Sequence, residues 1–164
     1  MKKEREYYPV IKAQLEDLLK TKITNFHLEI TADKKFTNKL KAVIRPDRDI
    51  IFQFLKEASP DITGFIKGEY SADFVVVEFK REKIKLEDIY QTRKYKELFP
   101  AKLAFLVSLQ PIPEEIKRLH KVTYALLGTG SSYEAFVLVY FNEENGEMGE
   151  WYPENPFEKN TLWK

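Results

Sequence analysis

Residues 59–80 read SPDITGFIKGEYSADFVVVEFK, and the rest of the chain is organised around them. Two apolar runs, 61–66 and 74–79, flank a short polar segment that contains Gly68. Two such runs around a turn signal predict a β-hairpin. Side chains alternate faces along a strand, so Glu78 and Lys80 share one face and Phe79 takes the other. Charged groups are costly to bury unless they are paired or bound to a metal, so this pair at the end of a valine-rich strand needs a reason. A turn centred between Glu69 and Tyr70 sets Phe65 opposite Phe74 and Asp61 opposite Glu78. Directly opposed residues of an antiparallel pair lie on the same face, about 4.5–5.5 Å apart. Two carboxylates that close repel unless one is protonated or a cation sits between them. Asp61 and Glu78, with Lys80 beside them, are thus a candidate divalent-metal site. Asp73 is nearer in sequence, but it stands five residues before Glu78 and points to the opposite face of a regular strand.

Composition sets the frame for this site. A length of 164 residues with 43% hydrophobic content suits one globular domain, 1–164, with a real core. The net charge of +1 gives no bulk basic signature, so contact with a polyanion has to come from a local patch or from a partner. Cysteine is absent, which excludes disulfides, Cys-ligated zinc and iron–sulfur clusters. No apolar run approaches the roughly 18 residues of a membrane helix. The opening MKKEREYY lacks the apolar centre of a signal peptide. The expectation is a cytoplasmic protein without a membrane segment.

Upstream of the hairpin, Tyr8, Ile11, Leu15 and Leu18 follow the helical period and predict a helix over 4–20. Glu4 extends this stripe backwards, whereas Glu6, Glu16 and Asp17 fall off it. A glutamate there suits the helix dipole whether or not it has a further role. Pro9 requires the helix to start about Glu4 or later. Residues 23–31 alternate as a strand, with Phe26, Leu28 and Ile30 on one face and His27 on the other. Residues 33–45 are lysine-rich, with Asp33 or Thr37 as a cap for a short helix; Pro46 breaks the chain, and 49–57 reads as a strand or a helix, with helix preferred. Lys34, Lys35, Lys39 and Lys41 are candidates for phosphate contact, but a solvated face is the simpler account of each one of them.

Downstream, residues 86–98 predict a helix that Pro100 ends. Gln91, Tyr95 and Leu98 share a stripe. Arg93 and Lys94, with Lys96, add positive charge suited to phosphate contact. Residues 102–109 read as a buried parallel strand, 111–121 as a short amphipathic helix, and 123–127 and 135–141 as strands. The glycines of 128–132 form a turn that lacks the lysine and following helix of a P-loop. Residues 142–150 read as an acidic turn. The segment 142–164 is a C-terminal extension, in which Trp151, Tyr152 and Trp163 serve packing or a dimer contact in preference to base stacking.

Pro60-Asp61, sixteen intervening residues and Glu78-x-Lys80 together resemble the PD-(D/E)xK nuclease superfamily. Gln91-x-x-x-Tyr95 on the following helix resembles the Q-x-x-x-Y motif of its exonuclease branch. The resemblance implies an α/β fold with a restriction-endonuclease-like core, α-β-β-β-α-β. That core is a mixed β-sheet with a central hairpin flanked by helices, and 33–57 is an insertion in it. It implies Mg²⁺ or Mn²⁺ held by Asp61, Glu78 and the backbone carbonyl of Phe79, with Glu4 on the N-terminal helix as a further acidic residue of the site. It implies a catalytic role for Lys80, DNA positioning by Gln91 and Tyr95, and DNA as partner, with a homodimer or a larger nuclease complex completing the binding surface. The alternative is a nucleic-acid-binding or assembly module of the same fold without activity.

Overall fold

The computed structural model describes residues 2–123, 125–128 and 133–163. The described residues form one six-stranded mixed sheet with helices on both faces. In chain order the elements are α1 (Glu4–Lys20), β1 (Phe26–Ile30), α2 (Asn38–Lys41), α3 (Ile51–Phe54), β2 (Ile62–Lys67), β3 (Ala72–Lys80), α4 (Leu86–Leu98), β4 (Ala101–Ser108), α5 (Glu114–Val122), β5 (Ala135–Asn142) and β6 (Glu147–Tyr152). Short 3₁₀ turns follow at Pro156–Glu158 and Asn160–Trp163. The strands lie side by side in sequence order. β1–β2 and β2–β3 pair antiparallel, β3, β4 and β5 are mutually parallel, and β6 closes the far edge antiparallel to β5. The hairpin is β2–β3, and β3 and β4 are the innermost strands.

The register of the hairpin follows from its two apolar runs. Phe65 stands opposite Phe74 and Ile62 opposite Val77, which carries Asp61 to the position facing Glu78. The turn closes where the Gly68 N–H donates to the Ser71 carbonyl over 2.8 Å. Gly64 is required by close approach: a Cβ there would meet the His27 carbonyl oxygen at 2.0 Å and the Leu28 side chain at 2.5 Å. β1 can therefore lie against β2 only if position 64 has no side chain.

Alternation along β3 and β4 divides the core in two. Val75, Val77, Phe79, Leu103, Phe105 and Val107 face α1, whose Tyr7, Tyr8, Ile11, Leu15 and Leu19 cover them. Val76, Ala104 and Leu106 face the other way, under Ile89, Tyr95 and Phe99 of the α4 segment. Parallel strands buried on both faces are expected to be apolar at consecutive positions, as these are. Glu78 shares the parity of Val76, so it belongs to the α4 face.

Pro9 sits at the sixth position of α1. Its ring removes the N–H that would bond the Arg5 carbonyl, and Arg5 is exposed, which leaves the loss tolerable. Thr37 caps α2 by accepting from the Leu40 N–H over 3.2 Å. Residues 123 and 125–127 form turns, not the expected strand; Ala125 has φ +59, which an extended run excludes. Of the glycine-rich turn, 129–132 lie outside the described residues. The acidic turn is shorter than its charge suggests, because β6 begins at Glu147 and pairs with β5. Trp151 on β6 packs edge-on against Phe105 and Phe157, and Phe157 stacks on Trp163. Trp151, Phe157 and Trp163 thus complete the α1-side core, while Tyr152 packs on the α4 side, its hydroxyl 3.0 Å from His120 Nδ1.

Candidate functional site

The C-terminal end of β3 is where the first turns of α1 and α4 converge. Asp61 lies one residue before β2, so its side chain is not held by the pleat and turns to the end of the neighbouring strand. Its carboxylate accepts from the Phe79 N–H over 2.8 Å. Its own N–H donates to Glu78 Oε1 over 3.3 Å. The two carboxyl groups lie close enough to shift each other's ionisation, and the Tyr8 hydroxyl stands beside Asp61. In an extended strand a residue's N–H and C=O point to the same side. The Phe79 carbonyl therefore points to the β2 edge that its N–H meets, while the Lys80 carbonyl accepts from Leu109 on the β4 side. Asp61, Glu78 and the Phe79 carbonyl lie along one strand edge.

Glu78 is only 4% exposed. Burial, and then the charge of Asp61, push its carboxyl up from 4.5 to about 9. Burial also raises Asp61, against the opposing effect of the Phe79 N–H. Without a cation the pair therefore holds a proton at neutral pH. Glu4 is raised by burial and by Asp61, and lowered by Lys80 and Arg81. It lines the same cleft as Lys80, Arg81 and Asp88, without joining the carboxyl pair by a hydrogen bond. Tyr8 is raised by burial and by Asp61, which keeps it a donor. Among the described residues, no three Asp, Glu, His or Cys side chains converge to hold a metal. The oxygen donors brought together are two carboxylates and one carbonyl, a set that suits Mg²⁺ completed by water or phosphate oxygens.

Lys80 has a side chain 31% exposed, and its ammonium stands 3.9 Å from Asp88 at the start of α4. At that distance it is loosely held. The segment after it is anchored more firmly: Leu109 N–H donates to the Lys80 carbonyl over 3.3 Å, and Ser108 Oγ to the Glu82 carbonyl over 2.6 Å.

On α4 the Gln91 amide donates to the Tyr95 hydroxyl over 3.0 Å. Tyr95 is buried beneath the helix, and burial raises its hydroxyl to about 12. Tyr95 therefore orients Gln91 from below and does not face solvent, because α4 lies flat on the sheet with this stripe inward. Arg93 comes two residues after Gln91, about 200° around the helix, and approaches Glu97 at 3.6 Å. It is turned away from the carboxyl pair. Lys94 is exposed and lies over the Tyr95 ring at 5.1 Å. Lys96 is engaged by Glu134 at 3.0 Å. Asp73 stands at the opposite end of β3, 3.9 Å from Lys102.

Sequence reasoning passed over Tyr8, Asp88 and Arg81. Tyr8 was legible as the residue one helical turn after Glu4 on the same stripe, but it read as core. Nothing in the spacing shows that Asp88 meets Lys80, or that Arg81 lines the cleft.

The fold is thus an α/β three-layer arrangement with a carboxyl pair and a lysine at the end of its inner hairpin strand. Comparison of the chain with protein-family models, with curated proteins and with solved structures returns no match. Among the described residues no helix is long and apolar enough to cross a membrane.

Proposed function

We propose that this protein is a metal-dependent deoxyribonuclease with a restriction-endonuclease-like core. One observation carries the reading: Asp61 and Glu78 are brought together at a strand end, the Asp61 N–H donating to Glu78 Oε1, with Lys80 two residues on. The order α1, β1, β2, β3, α4, β4 supports it, since it reproduces α-β-β-β-α-β with 33–57 inserted between the first two strands.

Asp61, Glu78 and the Phe79 carbonyl would hold Mg²⁺ or Mn²⁺, with the cation replacing the shared proton. The cation would supply Lewis acidity, withdrawing charge from the scissile phosphate and easing deprotonation of water. Lys80 would stabilise the negative charge that develops on the phosphate oxygens. The Phe79 N–H and the Tyr8 hydroxyl would keep Asp61 in one orientation. Gln91, braced by Tyr95, would position the strand, and Lys94 would meet its backbone. Glu4, at the mouth of the cleft, would take up a proton from the attacking water. The test is a cleavage assay with Mg²⁺ or Mn²⁺ on single-stranded, double-stranded and branched DNA. Lys80→Ala should abolish cleavage and leave DNA binding within about twofold. Full activity in Lys80→Ala sinks the assignment.

A second reading is a nucleic-acid-binding or assembly module without catalysis. It is favoured by the failure of a third acidic side chain to join the pair. Calorimetric titration with Mg²⁺ separates the two, since the module would release no heat.

A further inference from the structure

The cleft beside the carboxyl pair has a volume of about 300 Å³ and is lined by four cations, Lys80, Arg81, Lys83 and Lys85. Two of them are engaged: Lys80 stands 3.9 Å from Asp88, and Lys83 stands 3.2 Å from Glu115 on α5. Among the described residues Arg81 and Lys85 have no ion-pair partner. Arg81 is further distinguished, because its Nε–H is buried and has no hydrogen-bond acceptor. An unmet buried donor costs about 1–3 kcal/mol. A guanidinium in that condition gains by turning towards an acceptor that enters the cleft. Nε–H and the adjacent Nη–H form the planar, two-donor edge that matches two oxygens of one phosphate. The cleft's own carboxylates, Glu4, Glu82 and Asp88, do not serve: among the described residues neither Glu4 nor Glu82 forms an ion pair with Arg81, and Asp88 accepts from the Lys85 N–H over 2.9 Å.

We infer that Arg81, assisted by Lys85, is a phosphate-holding site for the nucleic-acid backbone, one step along the strand from the scissile phosphate. This rests on the proposed nuclease reading and deepens it, by assigning a residue that holds substrate without taking part in bond cleavage. Arg81 follows Lys80 directly, and the ties of Lys80 and Glu82 to the end of β4 hold both side chains at the same strand end. Arg81 and Lys80 line one cleft, so a continuous strand with one phosphate at Asp61 and Glu78 would present an adjacent phosphate to Arg81. Lys83 is spent on α5, and Arg93 lies on the far side of α4, so neither substitutes for it.

The experiment measures steady-state cleavage of a 20-nucleotide DNA, and binding of the same DNA by fluorescence anisotropy at several salt concentrations. It compares the wild type with Arg81→Met, Arg81→Lys, Lys85→Ala and Arg93→Ala. Arg81→Met keeps the aliphatic stem and removes a donor that nothing meets, so its melting temperature should equal or exceed that of the wild type. A charge-assisted bond to phosphate predicts a KM raised about tenfold to hundredfold in Arg81→Met with kcat retained. The slope of log affinity against log salt should fall by about one phosphate, 0.7–0.9. Arg81→Lys should recover the salt slope and only part of the KM, because an ammonium offers no two-donor edge. Lys85→Ala should act in the same direction more weakly, and Arg93→Ala should have no effect. Cleavage by the wild type with KM and salt slope unchanged in Arg81→Met overturns the site and leaves the nuclease reading standing. A wild type that neither cleaves nor binds DNA overturns both.

Discussion

Glu78→Gln tests the electrostatics of the carboxyl pair without reference to any substrate. Glu78 is buried, and its carboxyl is moved from 4.5 to about 9 by burial and by Asp61. Between those values the folded protein holds a proton that the unfolded chain has released. The native state then binds more protons than the unfolded one, so stability falls as pH rises, by at most about 1.4 kcal/mol per pH unit. The contribution is complete below the unfolded value and is lost as pH climbs through the folded one. From 4.5 to 7.5 this amounts to about 4 kcal/mol, the upper value for a pair that shares its proton. Glutamine is neutral at every pH and nearly isosteric, and its amide can donate to Asp61 as the protonated carboxyl does. Glu78→Gln should therefore match the wild type near pH 4.5 and exceed it at pH 7.5 by up to about 4 kcal/mol, while abolishing cleavage. Urea unfolding of both proteins at half-unit steps from pH 5 to 9, without divalent cations, measures the difference directly. The two histidines and other titrating groups are common to both and cancel. Parallel profiles would refute the argument, as would a Glu78→Gln protein less stable at pH 8 than at pH 5 by as much as the wild type. Mg²⁺ at a hundred times its dissociation constant should raise wild-type stability by about 2.7 kcal/mol and flatten its pH profile, with no such response in Glu78→Gln.

Asp61→Asn should eliminate metal-dependent cleavage, whereas Asp73→Asn, at the other end of β3, should leave it within twofold; a dead Asp73→Asn protein in a cleavage assay would show that the wrong end of the hairpin had been chosen. Gly64→Ala forces a methyl group to 2.0 Å from the His27 carbonyl, so β1 must move off β2, and urea titration should show a loss of about 3 kcal/mol or more. An unchanged unfolding midpoint would mean that β1 is not held against β2 as described.

The two ends of the molecule differ in how far they could be read. The hairpin, its register and the meeting of Asp61 with Glu78 were legible because a strand has a period of two. Once Phe65 is set opposite Phe74, every other partner follows by counting. α1 and α4 were legible to the residue, from the apolar stripe in one case and from Pro100 in the other. β6 was not, because an edge strand need bury only part of its side chains, and Glu147 and Glu150 gave its sequence the look of a solvated turn. The strand expected at 123–127 failed for the converse reason. Short apolar runs satisfy strand and turn alike, and Leu126 and Leu127 reach the core from a turn.

At the site the same division holds. The residue types and the pairing of Asp61 with Glu78 were determined by the sequence alone, through alternation and turn position. Only the tertiary structure decided that Tyr8 stands beside Asp61, that Tyr95 lies under Gln91, that Arg93 is turned away, and that Arg81 lines a cleft with its Nε–H unmet. These facts depend on how α1 and α4 dock against opposite faces of the sheet and meet at the end of β3. Docking is set by summed side-chain shape over the two cores, which no local period encodes.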